Sequence, residues 1–273
     1  MLRSLTIVIC LTSITALVAS PGSIVLMRHQ IKEKSLKKPL KKLFTSARYT
    51  SLEADVYADT MLPLSVTGWH NAMQLVPLLT KTLDFTIKGL YTLNQYPLEE
   101  VPTKKGSKTI KGYGYLRTTQ TLLPLFTVLK KEGLAQNTIY DHYTADPQTS
   151  NAPQVLVKQL ADLFQDIMSQ YTQCDTVVVC WEHHALPVIA QTFGLTTDFI
   201  DNKGTKALET LQQWPSSVFN WLWVLNYNAH QKLESVDQYV IPCHKKTGKF
   251  TTIKGADLIK YTVNKNINKK QGK

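Results

Sequence analysis

Two apolar runs without polar alternation constrain this chain most. "IVLM", residues 24 to 27, follows a Pro-Gly turn, and "TVVVCW", residues 176 to 181, repeats the design. A strand with no polar side has no face to give to water, so both runs belong inside a sheet covered on its two faces, the usual setting of parallel strands. Each run stops at ionisable residues: Arg28 and His29 after the first, Glu182, His183 and His184 after the second. In open α/β sheets ligands bind beyond the carboxyl ends of strands, so both clusters are expected at the functional edge.

Helical patterns alternate with the strand patterns. Trp69, Met73, Val76 and Leu79 lie at helical spacing after a helix start at Thr67-Gly68, and "IKGLYTLNQYP" reads as a second strand. A polar loop is expected from Lys104 to Tyr113, then a helix through "RTTQTLLPLFTVLKK" closed by Gly133. Residues 154 to 171 form an amphipathic helix, the segment after His184 a helix ending at Gly194, and "VFNWLWVLNY" a further strand. The expected fold class is α/β: one domain with a mostly parallel central sheet flanked by helices.

The first twenty residues carry Arg3, an apolar stretch from Leu5 to Val18, and the small residues Ala19 and Ser20. This is a signal-peptide layout with a cut after Ser20, and the stretch is short for a membrane span. The expected organisation is therefore a signal at 1–20, a domain at 21–244 and a lysine-rich tail at 245–273, in a secreted or periplasmic protein with no membrane span left after cleavage. Removing the signal leaves Cys174, Cys180 and Cys243, enough for one disulfide at most.

The net charge of +11 is unevenly placed. Six lysines and one glutamate fall between residues 32 and 42, and nine lysines and one aspartate from 245 to 273. The excess thus lies in a loop and a tail with few interleaved aromatics, which argues against nucleic acid as a partner.

Arginines and histidines converging on one sheet edge suit a phosphoryl group: guanidinium forks match phosphate oxygens, and an imidazole can carry the phosphoryl group covalently. "LMRHQ", "LSVTGWHNAMQL", "LRTTQTLLPL" and "VVVCWEHHALPVIAQTFG", in this order, resemble the histidine phosphatase superfamily, of phosphoglycerate-mutase-like fold. "WPSSVFNWLWVLNY" is similar to the closing strand of small members with a Trp-Glu-His second-histidine motif. The resemblance implies that His29 is the phosphate-accepting nucleophile, that Arg28 and Arg117 bind the phosphoryl oxygens, and that His183 is the second pocket histidine. It implies a phosphorylated small molecule or other phosphoester as substrate, and no metal or other cofactor.

The chain departs from the family pattern in three ways. Gln30 stands where a glycine usually follows the nucleophile, a long lysine-rich insert comes next, and no general acid is evident. Asp146, in the "TADP" turn, is the favoured acid, with Asp141 and His184 as alternatives. Glu182 is set aside because an extended strand end would point it away from His183. Adjacent histidines chelate one ion poorly, which disfavours a metal site at His183 and His184. The expected function is an exported phosphomonoesterase with a phosphohistidine intermediate; the alternative is a secreted, non-catalytic relative that binds a phosphorylated ligand or partner.

Overall fold

The computed structural model describes residues 21–32, 64–93, 99–103, 106–110, 116–131, 140–143, 153–196, 214–251 and 258–264. The segment expected to be a signal, most of the lysine-rich insert and Asp146 lie outside them. The elements run β1 (Ser23–Arg28), α1 (Val66–Pro77), β2 (Ile87–Leu93), β3 (Glu99–Thr103), β4 (Gly106–Ile110), α2 (Leu116–Lys131) and β5 (Tyr140–Tyr143). They continue with α3 (Pro153–Gln170), β6 (Thr176–Trp181), α4 (Leu186–Thr192), β7 (Trp221–Tyr227), β8 (Leu233–Val240) and β9 (Ile259–Asn264).

Seven strands form one sheet in the order β5-β2-β6-β1-β7-β8-β9. β5, β2, β6 and β1 are mutually parallel, whereas β7, β8 and β9 add antiparallel to one another and to β1. The α/β class holds, and the parallel half contains both apolar runs at its centre. The antiparallel half extends into the segment expected to be a tail, since Ile259–Asn264 pairs with β8. The polar loop expected at 104 to 113 contributes β4, which pairs with β3 in a separate two-stranded ribbon. Among the described residues no helix is long and apolar enough to cross a membrane, and Cys174, Cys180 and Cys243 are all free thiols.

The centre of the sheet is buried on both faces, and alternation sorts its side chains. Ile24, Leu26, Val177, Val179, Trp181, Trp223 and Leu225 pack on the side of Leu160, Leu163 and Ile167 of α3 and Ile189 of α4. Val25, Met27, Val178, Cys180, Leu222 and Val224 pack on the other side, against Leu75 of α1 and Leu122, Leu125 and Leu129 of α2.

The core face of α1 is not the expected one. Gly68, Asn71, Ala72 and Leu75 are its buried residues, while Met73 is 62% exposed. Trp69, Met73 and Val76 instead line an apolar groove shared with Leu123, Pro124 and Val128 of α2. Their helical spacing reported helix correctly, but a second partly apolar stripe obscured which face is covered.

Ser65 caps α1 by accepting a hydrogen bond from Gly68 N at 3.0 Å, and its own N–H donates to Ile31 O at 2.9 Å. These bonds tie the start of α1 to the chain leaving β1. Gly68 is required there by close approach, because a Cβ would stand 2.1 Å from Ile31 O. Gly68→Ala should therefore displace α1 from the Gln30-Ile31 segment and cost about 3 kcal/mol, read as a lowered thermal midpoint.

Candidate active site

Parallel register brings the two ionisable clusters together. Arg28 pairs with Trp181 across β1 and β6, and His29 N donates to Trp181 O at 3.3 Å, so His29 and Glu182 leave adjacent strand ends side by side. β7 runs antiparallel to β1 with Met27 opposite Leu222, which delivers the segment preceding Trp221 to the same edge. That segment supplies Ser216, Val218 and Phe219. Arg117 arrives from the first turn of α2. A cation there opposes the helix dipole, so its cost has to be met by an anion nearby.

The anion present is Glu182. Its Oε2 lies 3.1 Å from His29 Nε2, and its Oε1 accepts from Arg117 Nη2 at 3.1 Å. Glu182 is 4% exposed, His29 1% and Arg117 5%, so the three form a buried charged cluster. His183 Nδ1 lies 3.9 Å from Glu182 Oε2, beyond hydrogen-bond reach, and is itself buried without a hydrogen-bond partner. The rings of His183 and His184 meet edge to face, with centroids 5.1 Å apart.

The expectation that Glu182 points away from the pocket is corrected here. β6 ends at Trp181, and Glu182 O already accepts from the N–H groups of Ala185 and Leu186, opening the turn into α4. Strand alternation has therefore ceased, and Glu182 and His183 approach each other. His29, at the end of β1, is fully buried.

Both ring nitrogens of His29 face acceptors. Nδ1 lies 2.7 Å from Gln30 O and donates to it, since a carbonyl can only accept. The Nε2 to Oε2 contact then needs one proton, on one atom or the other, and the pair titrates as a unit. Burial pushes the imidazole below its ordinary value, with Glu182 opposing. Burial also pushes the Glu182 carboxyl up, but His29, His183 and Arg117 outweigh it and hold the group well below 4.5.

Glu182 binds protons more readily in the unfolded chain, so its stabilising contribution is intact above about pH 4.5 and is lost as pH falls through its lower folded value. Acid unfolding curves should show this limb in the wild type and a flatter one in Glu182→Gln.

Gln30, where the resemblance implies a glycine, has its side-chain Oε1 buried without a hydrogen-bond partner, while its two donors are used. Its N–H donates to Thr121 Oγ1 at 2.9 Å and its side-chain Nε2 to Phe219 O at 3.2 Å. Arg28 stacks on the Phe219 ring, 3.9 Å from its centroid, and its Nη1 donates to Ser216 O and to Val218 O. Burial brings the guanidinium down to about 10, which leaves it charged at neutral pH. Its Nε is buried with no hydrogen-bond partner in the protein. A buried unmet donor beside His29 suits an anionic ligand.

The structure thus gathers Arg28, His29, Arg117 and His183 at one edge. Asp141 lies on β5, separated from β1 by β2 and β6. Glu182, His183 and His184 each bring one ligand atom within 4.8 Å of the others, but Glu182 is already engaged by Arg117 and His29, and the Arg117 guanidinium opposes a cation. Sequence reading missed Phe219 and the carbonyls of Ser216 and Val218. Its available signal was the strand at 221 to 227, whose antiparallel pairing brings the preceding residues to His29.

No known family's sequence pattern and no curated protein sequence matches the chain. Among solved structures, the chain is similar to the ecdysone phosphate phosphatase from Bombix mori in complex with tungstate, at 15% identity. The likeness covers 75% of this chain and 88% of that one, with a TM-score of 0.40. At that distance the chemistry has to be read from this chain's own residues.

Proposed function

We propose that the chain is an exported phosphomonoesterase in which His29 Nε2 is the nucleophile and a phosphohistidine is the intermediate. The observation that carries this reading is the orientation of His29. With Nδ1–H committed to Gln30 O, deprotonation leaves the Nε2 lone pair facing the centre of a cluster with Arg117 and His183 on its rim and Arg28 beside it. Arg28 and Arg117 bind phosphoryl oxygens, and His183 contributes a further donor. Together they offset charge on the equatorial oxygens as the ester bond breaks, after which water hydrolyses the phosphoenzyme.

The non-catalytic alternative draws on one observation: Glu182 covers Nε2 in this arrangement. Steady-state hydrolysis of a panel of phosphomonoesters by the mature protein distinguishes the two. Turnover that depends on His29 supports the enzyme; tight phosphate binding with no turnover on any ester supports the binding protein.

A further inference from the structure

Glu182 occupies a position that the phosphatase reading leaves unexplained. A carboxylate held 3.1 Å from the nucleophilic nitrogen and 3.1 Å from a phosphoryl-binding arginine takes the contacts a substrate anion would take. It cannot stay there while phosphorus approaches Nε2. The backbone at Glu182 is fixed by the turn into α4, so its carboxylate leaves by side-chain rotation. His183 Nδ1, 3.9 Å from Oε2 and lacking a hydrogen-bond partner, is a ready acceptor site for the displaced group.

We propose that Glu182 is a catalytic residue that takes the Nε2 proton of His29 as a phosphoester displaces its carboxylate, and then gives that proton to the leaving oxygen. The inference rests on the phosphatase reading and supplies the acid that reading lacks. In the first step the His29 N–H bond breaks and a Glu182 O–H bond forms. The freed Nε2 lone pair then forms the N–P bond while the ester P–O bond breaks. The electron pair of that bond departs with oxygen, which takes the Glu182 proton and leaves as the alcohol. In the second step water oxygen bonds to phosphorus, the N–P electron pair returns to Nε2, and one water proton passes through solvent to Nε2. The products are the alcohol and hydrogen phosphate, and His29 and Glu182 end as they began.

A phenolate leaves with little help, whereas an alkoxide needs a proton in the transition state. The test compares p-nitrophenyl phosphate with glycerol phosphate in the wild type, Glu182→Gln and Glu182→Asp, with thermal unfolding of each variant alongside. Glu182→Gln should lose about 100-fold or more in kcat on the alkyl ester and less than about 10-fold on the phenyl ester, and Glu182→Asp should recover part of the alkyl activity. An equal loss on both esters, or no loss on either, would overturn the assignment while leaving the phosphatase reading in place. No wild-type hydrolysis of either ester would overturn that reading and this inference with it. If Glu182→Gln does not unfold cooperatively, Glu182→Asp carries the test alone: a selective alkyl loss supports the proposal and a uniform one contradicts it.

Discussion

His29→Ala is expected to reduce phosphomonoester hydrolysis by about a thousandfold or more, to the level of buffer, because it removes the proposed nucleophile. The substitution also has a structural cost. His29 is 1% exposed and its ring packs edge to face on Phe219, with centroids 5.8 Å apart. Its loss leaves the Gln30 carbonyl and one Glu182 oxygen without their partner, which should lower stability by about 1–3 kcal/mol. Activity therefore has to be measured well below the variant's unfolding midpoint, with circular dichroism confirming the fold. Retention of a tenth of wild-type turnover in the folded variant would remove His29 from the mechanism.

Arg117→Lys is the second large effect. Lysine keeps the charge but replaces a planar fork with a compact ammonium, so it can pair with Glu182 in the resting site without spanning two phosphoryl oxygens in the transition state. The expected loss is about 2 kcal/mol of transition-state stabilisation, roughly 30-fold in kcat/KM. Because the ion pair to Glu182 can persist, thermal stability should change much less than activity. Unchanged kinetics would place Arg117 outside the phosphoryl site. A parallel collapse of stability would instead show that its fork is needed to hold the buried carboxylate.

Residues whose placement depends on strand ends and parallel register were legible in the sequence. Ile24–Met27 and Thr176–Trp181 have no polar face, so burial fixed them as neighbours in the parallel half, and His29 and the 182–184 cluster followed at their ends. Arg117 was legible as a site residue through motif order. It lies in the first turn of α2, in the helix expected there.

Other features depended on tertiary contacts that no local pattern reports. The inward turn of Glu182 follows from hydrogen bonds to its carbonyl from Ala185 and Leu186, which open the turn directly after the strand ends at Trp181. β8 reads poorly because Glu234, Asp237 and Gln238 interrupt its apolar residues, yet Asp237 is satisfied by Asn226, Thr262 and Lys260 from the flanking strands. The seventh strand was hidden by lysines that read as a solvated tail. Lys260 is one of them, and it pairs with Asp237 at 3.0 Å.

The most direct test of the account is to trap the intermediate. Rapid quenching of the protein with a 32P-labelled phosphomonoester, followed by peptide mapping, should place the label on His29. That label should be labile in acid, stable in base and absent from His29→Ala. A label that survives acid and is released by base, or one mapped to any other residue, would contradict the account.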